Sequence, residues 1–230
     1  MRPKDLQVPF KWNHRQILIH DRIFYIPPYE KEESGFQFPG WNAPEVFGNN
    51  NPIVVEYCSG NGAWIAAKAL ANPHINWVAI EMKFKRVRKI WSKVKNLQLN
   101  NLFIICGEAH KTTKNYFKSC DLEKIYINFP DPWPKNRHAK NRLIQDEFVQ
   151  EMHRCLKSGG TFTFVTDDTD YSEWTIQTML RQPNFSSIFN DPYYITEMTD
   201  YGSSYFDQLW REKGKTIRYH EFKTAIEING

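Results

Sequence analysis

The spacing of apolar and polar positions changes repeatedly along the chain, and the changes mark its elements. From Ile53 onward, short runs rich in β-branched residues alternate with helix-like stretches. "PIVVEYC", "INWVAIE", "NLFIIC", "KIYINF" and "GTFTFVTD" read as strands. "KFKRVRKIWSKVKNLQL" sets Phe84, Val87, Trp91 and Val94 at spacings of 3, 4 and 3, one stripe of an amphipathic helix. "GAWIAAKALAN", "TKNYFKSC", "RLIQDEFVQEMHRCL" and "YSEWTIQTMLRQ" read as further helices. "DPYYITEM" and "TIRYHEFKTA" return to strand-like text. Residues 1–50 show no periodic face, and turn formers dominate "IPPYEKEESGFQFPGWNAP". An irregular, basic and aromatic N-terminal arm is expected there.

Regular strand–helix alternation implies right-handed crossovers and an α/β fold, with a mostly parallel sheet and helices on both faces. A chain of 230 residues, 41% hydrophobic, suits one such core. With no repeat and no linker in view, residues 51–230 are expected to form a single domain behind the arm. Ligands of such sheets bind outside the carboxyl ends of the strands. Glu56–Gly62, Glu81, Glu108, Asp131 and Asp167 fall at five successive predicted strand ends, so the site is expected there.

"VVEYCSGNGAW" is a strand that runs through a glycine turn into a helix. Gly60 and Gly62 are expected to let the backbone pass close to a ligand where a Cβ would collide. A dinucleotide turn wants G-x-G-x-x-G/A, and the last small position, counted from Gly60, holds Ile65. Glu56, just before the turn, would repel a pyrophosphate. A cationic, phosphate-free nucleoside suits that acid, and S-adenosylmethionine is such a ligand. Glu81, 19 residues beyond Gly62, stands where a carboxylate accepts both ribose hydroxyls. Glu81 as a surface ion-pair acid and Glu108 as a helix N-terminal acid are the plainer readings.

Charge and composition change the picture little. Net charge is +4, and eight tryptophans exceed what the core needs. The four cysteines form no CxxC pair, so free thiols and no metal site are expected. The start lacks a signal-peptide run, and no stretch approaches the ~18 apolar residues of a membrane span. A cytoplasmic protein is expected, and the residues suit a monomer and a homodimer alike.

The most unusual text is "INFPDPWPKNRHAKNR". Pro130 and Pro132 restrain Asp131, and Trp133 either stacks on a base or packs under the loop. Lys135, Arg137, His138, Lys140 and Arg142 follow with no acid among them, which reads as a phosphate-binding run beside an active loop. The stretch 83–95, with seven Lys/Arg and no acid, divides between a nucleic-acid face and a solvated one.

These residues resemble the bacterial tRNA (guanine-N7-)-methyltransferase family. "FPDPWPKNRHAKNRL" is similar to that family's signature, and "VFGNNNPIVVEYCSGNG" to its entry into the cofactor fold. The resemblance runs from about residue 40 to 222. It implies a Rossmann-like class I S-adenosylmethionine-dependent fold, with cofactor contacts at Glu56, Glu81, Glu108 and Asp131. It implies tRNA contacts at Lys135, with Arg137 beside it, and at Asp167. The family's late T-x-[FY]-E element falls on Ser204–Asp207, reading S-Y-F-D, ahead of Gly214. Cys58 stands where the family has glycine, and Glu108 where Asp is commoner. The implied reaction is methylation of the variable-loop guanine, position 46 of tRNA. Guanine N7 carries an in-plane lone pair and no proton, so no general base is needed. Asp131 then serves as the charge-stabilising catalytic residue. An exocyclic-amino methyltransferase, a non-catalytic RNA-binding module and a nicotinamide oxidoreductase are the competing readings.

Overall fold

The computed structural model describes residues 1–11, 15–28 and 35–225, the side chain of Asn136 excepted. Residues 29–34 of the turn-rich stretch therefore lie outside the described residues. The chain falls into two compact units, Met1–Tyr116 and Phe117–Gly230.

The first unit carries strands β1 (Leu18–His20), β2 (Ile23–Tyr25), β3 (Ile53–Tyr57), β4 (Asn76–Glu81) and β5 (Leu102–Cys106) in the spatial order β1-β2-β5-β4-β3. All pairings are parallel except the β1–β2 hairpin. Every residue of β3 and β4 is buried, the near-continuous hydrophobic run of a strand covered on both faces. Two of those buried positions are nevertheless acids, Glu56 and Glu81, and a carboxylate out of water needs a compensating partner or a function. Helices α1 (Ala63–Ala71), α2 (Phe84–Asn96) and α3 (Ala109–Tyr116) follow β3, β4 and β5 in turn. The stripe on α2 buries Val87, Trp91 and Val94 as its spacing predicts, together with Ile90.

The expectation of an irregular arm over residues 1–50 is corrected at residues 18–25. Asp21 and Arg22, both at positive φ (49° and 65°), close a two-residue hairpin whose second strand pairs with β5. Such turns normally announce themselves as Asn-Gly or Asp-Gly, and three-residue strands are too short to display a period. The left-handed cost is offset by anchoring. Asp21 accepts from Trp91 Nε1 (2.9 Å) and from Lys95, while Arg22 donates to the carbonyls of Asn100 (2.7 Å) and Leu102 (3.2 Å). Burial alone would raise the Asp21 carboxyl, but those two donors outweigh it and hold its pKa below the usual range.

The second unit carries β6 (Leu122–Asn128), β7 (Leu156–Thr166), β8 (Phe185–Ser187) and β9 (Arg218–Thr224) in the order β6-β7-β9-β8. The β6–β7 pair is parallel, and β9 runs antiparallel to both β7 and β8. Helices α4 (Asp146–Cys155), α5 (Thr169–Leu180) and α6 (Tyr205–Glu212) complete it. Two expectations change here. "DPYYITEM" is a loop that keeps one bridge, Ile195 to Tyr219, because Tyr193 at φ 64° interrupts an extended run. The helix expected from Arg142 begins only at Asp146, because residues 142–145 are held by side-chain bonds: Ile144 N donates to the Tyr171 hydroxyl (3.2 Å).

Candidate active site

In the first unit the site is built around the turn after β3. Cys58, Gly60 and Gly62 all sit at positive φ (59°, 56° and 69°). The two glycines tolerate this; Cys58 does so under strain of about 1–2 kcal/mol. The turn is tied to β4 by Ser59 N to Ile80 O (3.2 Å) and by Gly60 N to Glu81 Oε2 (3.0 Å). A Cβ on Gly60 would meet little, whereas one on Gly62 would lie 2.7 Å from Ile90 Cγ1. Gly62 is thus required by its φ and by close packing of the turn on α2.

Glu81 is 5% exposed. Its Oε1 accepts from Lys83 N (2.8 Å), and Arg86 approaches Oε2 to 3.5 Å. It is not a surface acid: it is buried, Oε2 is engaged by Gly60 N and Arg86, and Oε1 keeps a second lone pair. Glu56 is buried at the penultimate position of β3. Glu108 is exposed and caps α3, its two oxygens accepting from His110 N (2.9 Å) and Lys111 N (2.7 Å). That cap explains why α3 starts at Ala109, earlier than the polar stretch 113–120 suggests.

Where β4 and β5 end lies a cavity of about 500 Å³, walled by Met82 and Phe84 after β4, by Cys106, Gly107 and Glu108 at the end of β5, and by Lys111; Glu56, Gly60, Gly62 and Glu81 do not line it. Its remaining walls are Val8, Phe10, Arg15 and Tyr25–Pro28. Sequence reasoning missed all of that second group, since the irregular arm gave no periodic signal. The volume suits a nucleoside, and the surface is mostly apolar. Burial pushes the Cys106 thiol up to about 12, so it stands in this wall as a neutral group.

The basic face of α2 is partly committed. Lys93 donates to the Asn61 carbonyl (2.9 Å), Lys95 to Asp21, Arg86 faces Glu81, and Arg88 lies 5.1 Å from the Phe84 ring centroid. Lys83, Lys85 and Lys89 remain exposed.

In the second unit, β6 runs out into the proline loop. Asp131 is exposed and is bracketed by two aromatic residues in the left-handed region, Phe129 and Trp133, each at φ 47°. Two strained bulky residues around one carboxylate mark a loop shaped for use, since such strain persists only where the surroundings over-determine it. Phe129 N donates to Val165 O (2.9 Å), and the Phe129 ring meets Phe206 of α6 at 6.0 Å. Trp133 is 37% exposed, its ring edge-on to His138.

Lys135, Arg137 and Lys140 are exposed, as a phosphate-binding run requires. Arg142 is not. It is 7% exposed, its guanidinium 5.2 Å from the Tyr171 ring and 5.3 Å from that of Trp174, with Nε donating to Pro132 O (2.9 Å). Its membership of the phosphate run is corrected: it braces the loop.

Asp167 follows β7, half-buried, with Lys215 at 3.7 Å; burial raises its carboxyl, and Lys215 works against that rise. Ser204 caps α6 by accepting from Asp207 N (3.1 Å). Asp207 accepts from Arg211 Nε (2.8 Å) and the Tyr219 hydroxyl (3.1 Å). Within this unit the Phe129–Phe206 contact joins the proline loop to the S-Y-F-D element, while Lys215, three residues beyond α6, joins that helix's end to Asp167.

A family model described as "Putative methyltransferase" matches residues 50–219. Over 228 residues the chain is 46% identical to a tRNA (guanine-N(7)-)-methyltransferase of Chlamydia caviae, covering 99% of this chain and all of that one. It is 35% identical to the protein of the same name from Staphylococcus aureus, over 78% of this chain and 83% of the other. Among solved structures, 16S rRNA methyltransferase KamB superposes with a TM-score of 0.56 at 14% identity, covering 78% of this chain and 90% of that one. That likeness is one of fold.

Proposed function

The chain belongs to the tRNA (guanine-N(7)-)-methyltransferase family, and from that premise we propose that it methylates N7 of guanine 46 in the variable loop of tRNA, with S-adenosylmethionine as methyl donor. The observation that carries the reading is a pair of buried acids at the carboxyl ends of the adjacent strands β3 and β4, with an apolar cavity where β4 and β5 end. A phosphate-bearing cofactor would find Glu56 and Glu81 where it needs amide donors; a cationic nucleoside finds partners for its ribose and its charge. S-adenosylmethionine, when bound, supplies an electrophilic methyl group on a sulfonium.

The chain's own residues hold and align. Glu81 accepts a ribose hydroxyl through the spare lone pair of Oε1, and the Gly60–Gly62 turn leaves room for the methionine part. Glu56 balances that part's positive charge. Met82, Phe84 and Gly107 receive the purine, and Glu108 stands at the cavity's rim. Lys135, Arg137 and Lys140 bind tRNA phosphates, with Asp167, Ser204 and Asp207 supporting the substrate side. Asp131 stabilises the positive charge that guanine acquires, a task for a preorganised carboxylate and not for a base. Residues 51–230 form the methyltransferase domain, and residues 1–50 are an arm in its service.

The choice of nucleotide is tested by treating the methylated tRNA with borohydride and then aniline, which cuts at 7-methylguanosine. One cut at position 46 supports the reading; a cut elsewhere in the molecule overturns the variable-loop assignment.

A further inference from the structure

We propose that the N-terminal segment is itself part of the cofactor site, with Val8 and Phe10, backed by the buried Tyr25, forming the wall on which the purine packs. This inference rests on the cofactor reading above and assigns residues that lie before the segment matched by the family model, 50–219.

Three observations support it. The first is uncovered apolar surface. Val8 is 39% exposed and Met82 62% exposed, and both line the same cavity although they are far apart in sequence. Large apolar side chains exposed around a concavity mark a place where something binds.

The second is the shape of the wall. Phe10 meets Tyr25 edge-on with ring centroids 5.8 Å apart, and Tyr25 meets Phe84 at 6.2 Å. Phe10, from the arm, and Phe84, from the first turn of α2, are half-buried at the cavity and offer ring surface suited to a flat heterocycle, while Tyr25 of β2, 2% exposed, backs both. A phosphate or a flexible aliphatic chain gains far less from such a surface.

The third is that this wall is built jointly with the cofactor-side residues. Tyr25 lies opposite Cys106 in the β2–β5 register, and Ile26 N donates to Cys106 O (2.9 Å). The next residue, Gly107, has little room for a side chain: a Cβ there would lie 3.1 Å from Ile26 Cβ. The absence of a side chain at 107 is what lets the N-terminal strand's end sit against the end of β5. The end of β2 is therefore fixed at the cavity's edge, and Phe10 is joined to it through its ring contact with Tyr25.

The test is calorimetric titration of the full-length protein with S-adenosylhomocysteine and with 5′-methylthioadenosine, which keeps the adenosine but lacks the amino-acid end. Phe10→Ala is expected to weaken both by the same factor, about tenfold, with Phe10→Leu falling between it and wild type. Val8→Thr, at an exposed position with little folding cost, is expected to weaken both several-fold. Affinities within about twofold of wild type for folded Phe10→Ala, or for Val8→Thr, overturn the inference while leaving the cofactor reading intact. So does a loss seen with S-adenosylhomocysteine and not with 5′-methylthioadenosine, which moves the contact to the amino-acid end. A wild-type protein that binds neither compound overturns the cofactor reading and this inference together.

Discussion

Arg142 Nε donates to the carbonyl of Pro132 at 2.9 Å, and this one bond separates two kinds of cation in a run that looks uniform in sequence. A guanidinium buried between Tyr171 and Trp174 cannot also meet a phosphate. It holds the proline loop, and through Pro132 it holds the residue on either side, Asp131 and Trp133. Lys135, Arg137 and Lys140 are left to face solvent.

The two kinds of cation are expected to fail differently. Replacing Lys135, Arg137 and Lys140 together by Ala should weaken tRNA binding and reduce its log–log salt slope by about 0.7–0.9 per lost phosphate contact, without altering thermal stability. Arg142→Ala should cost roughly 2–4 kcal/mol of folding stability, because a charged hydrogen bond and two ring contacts go together. Urea titration and salt-dependent filter binding on the two variants check this. An unchanged salt slope in the triple variant returns those residues to a solvated face.

Cys58 at φ 59° pays for a conformation that glycine adopts freely. Cys58→Gly should stabilise the protein by about 0.5–1 kcal/mol, the relief of left-handed strain less the greater entropy of glycine in the unfolded chain. Affinity for S-adenosylhomocysteine should stay within a few-fold. A lower thermal midpoint for the glycine variant contradicts the strain argument.

Asp131→Asn keeps the side chain's shape and removes its charge. Because Asp131 is exposed and its neighbours set the loop, the fold should be unaffected. The kcat should fall on the order of 10²–10³-fold while the tRNA Kd stays within a few-fold. Turnover near the wild-type rate would leave the loop as a scaffold for Lys135 and its neighbours.

His220 predicts a pH dependence. Its Nδ1 lies 3.1 Å from the Tyr193 carbonyl and so carries the proton, leaving Nε2 to accept from the Ser172 hydroxyl at 3.0 Å. Burial lowers its pKa to about 4 from 6.5. The unfolded chain therefore binds a proton that the folded one refuses. Stability from this group is complete above about pH 6.5 and is lost as pH falls toward 4, at up to about 1.4 kcal/mol per unit. Chemical denaturation across that window should give a shallower slope for His220→Gln; identical slopes would refute it.

Much of this was legible before any coordinates. Strand ends were legible because β3, β4 and β5 are largely buried runs and β6 and β7 finish in buried residues before a turn, so Glu56, Glu81, Asp131 and Asp167 could be placed by position alone. Hidden were the features that depend on partners distant in sequence. Asp21-Arg22 closes a hairpin without glycine because α2 and β5 hold its side chains. Arg142 looks like its neighbours in the basic run until Tyr171 and Trp174 surround it. Val8 and Phe10 lie in no regular element and show no period; Tyr25 reaches the cavity through its register beside Cys106, and Phe10 packs on Tyr25.

The central claim is methyl transfer to guanine N7, and the most direct measurement is product identity. Unmodified tRNA is incubated with the purified protein and methyl-labelled S-adenosylmethionine, digested to nucleosides and resolved by mass spectrometry. The account predicts label in 7-methylguanosine. Label in N6-methyladenosine or in cytidine contradicts it, and so does an absence of label from a protein that still binds both S-adenosylhomocysteine and tRNA.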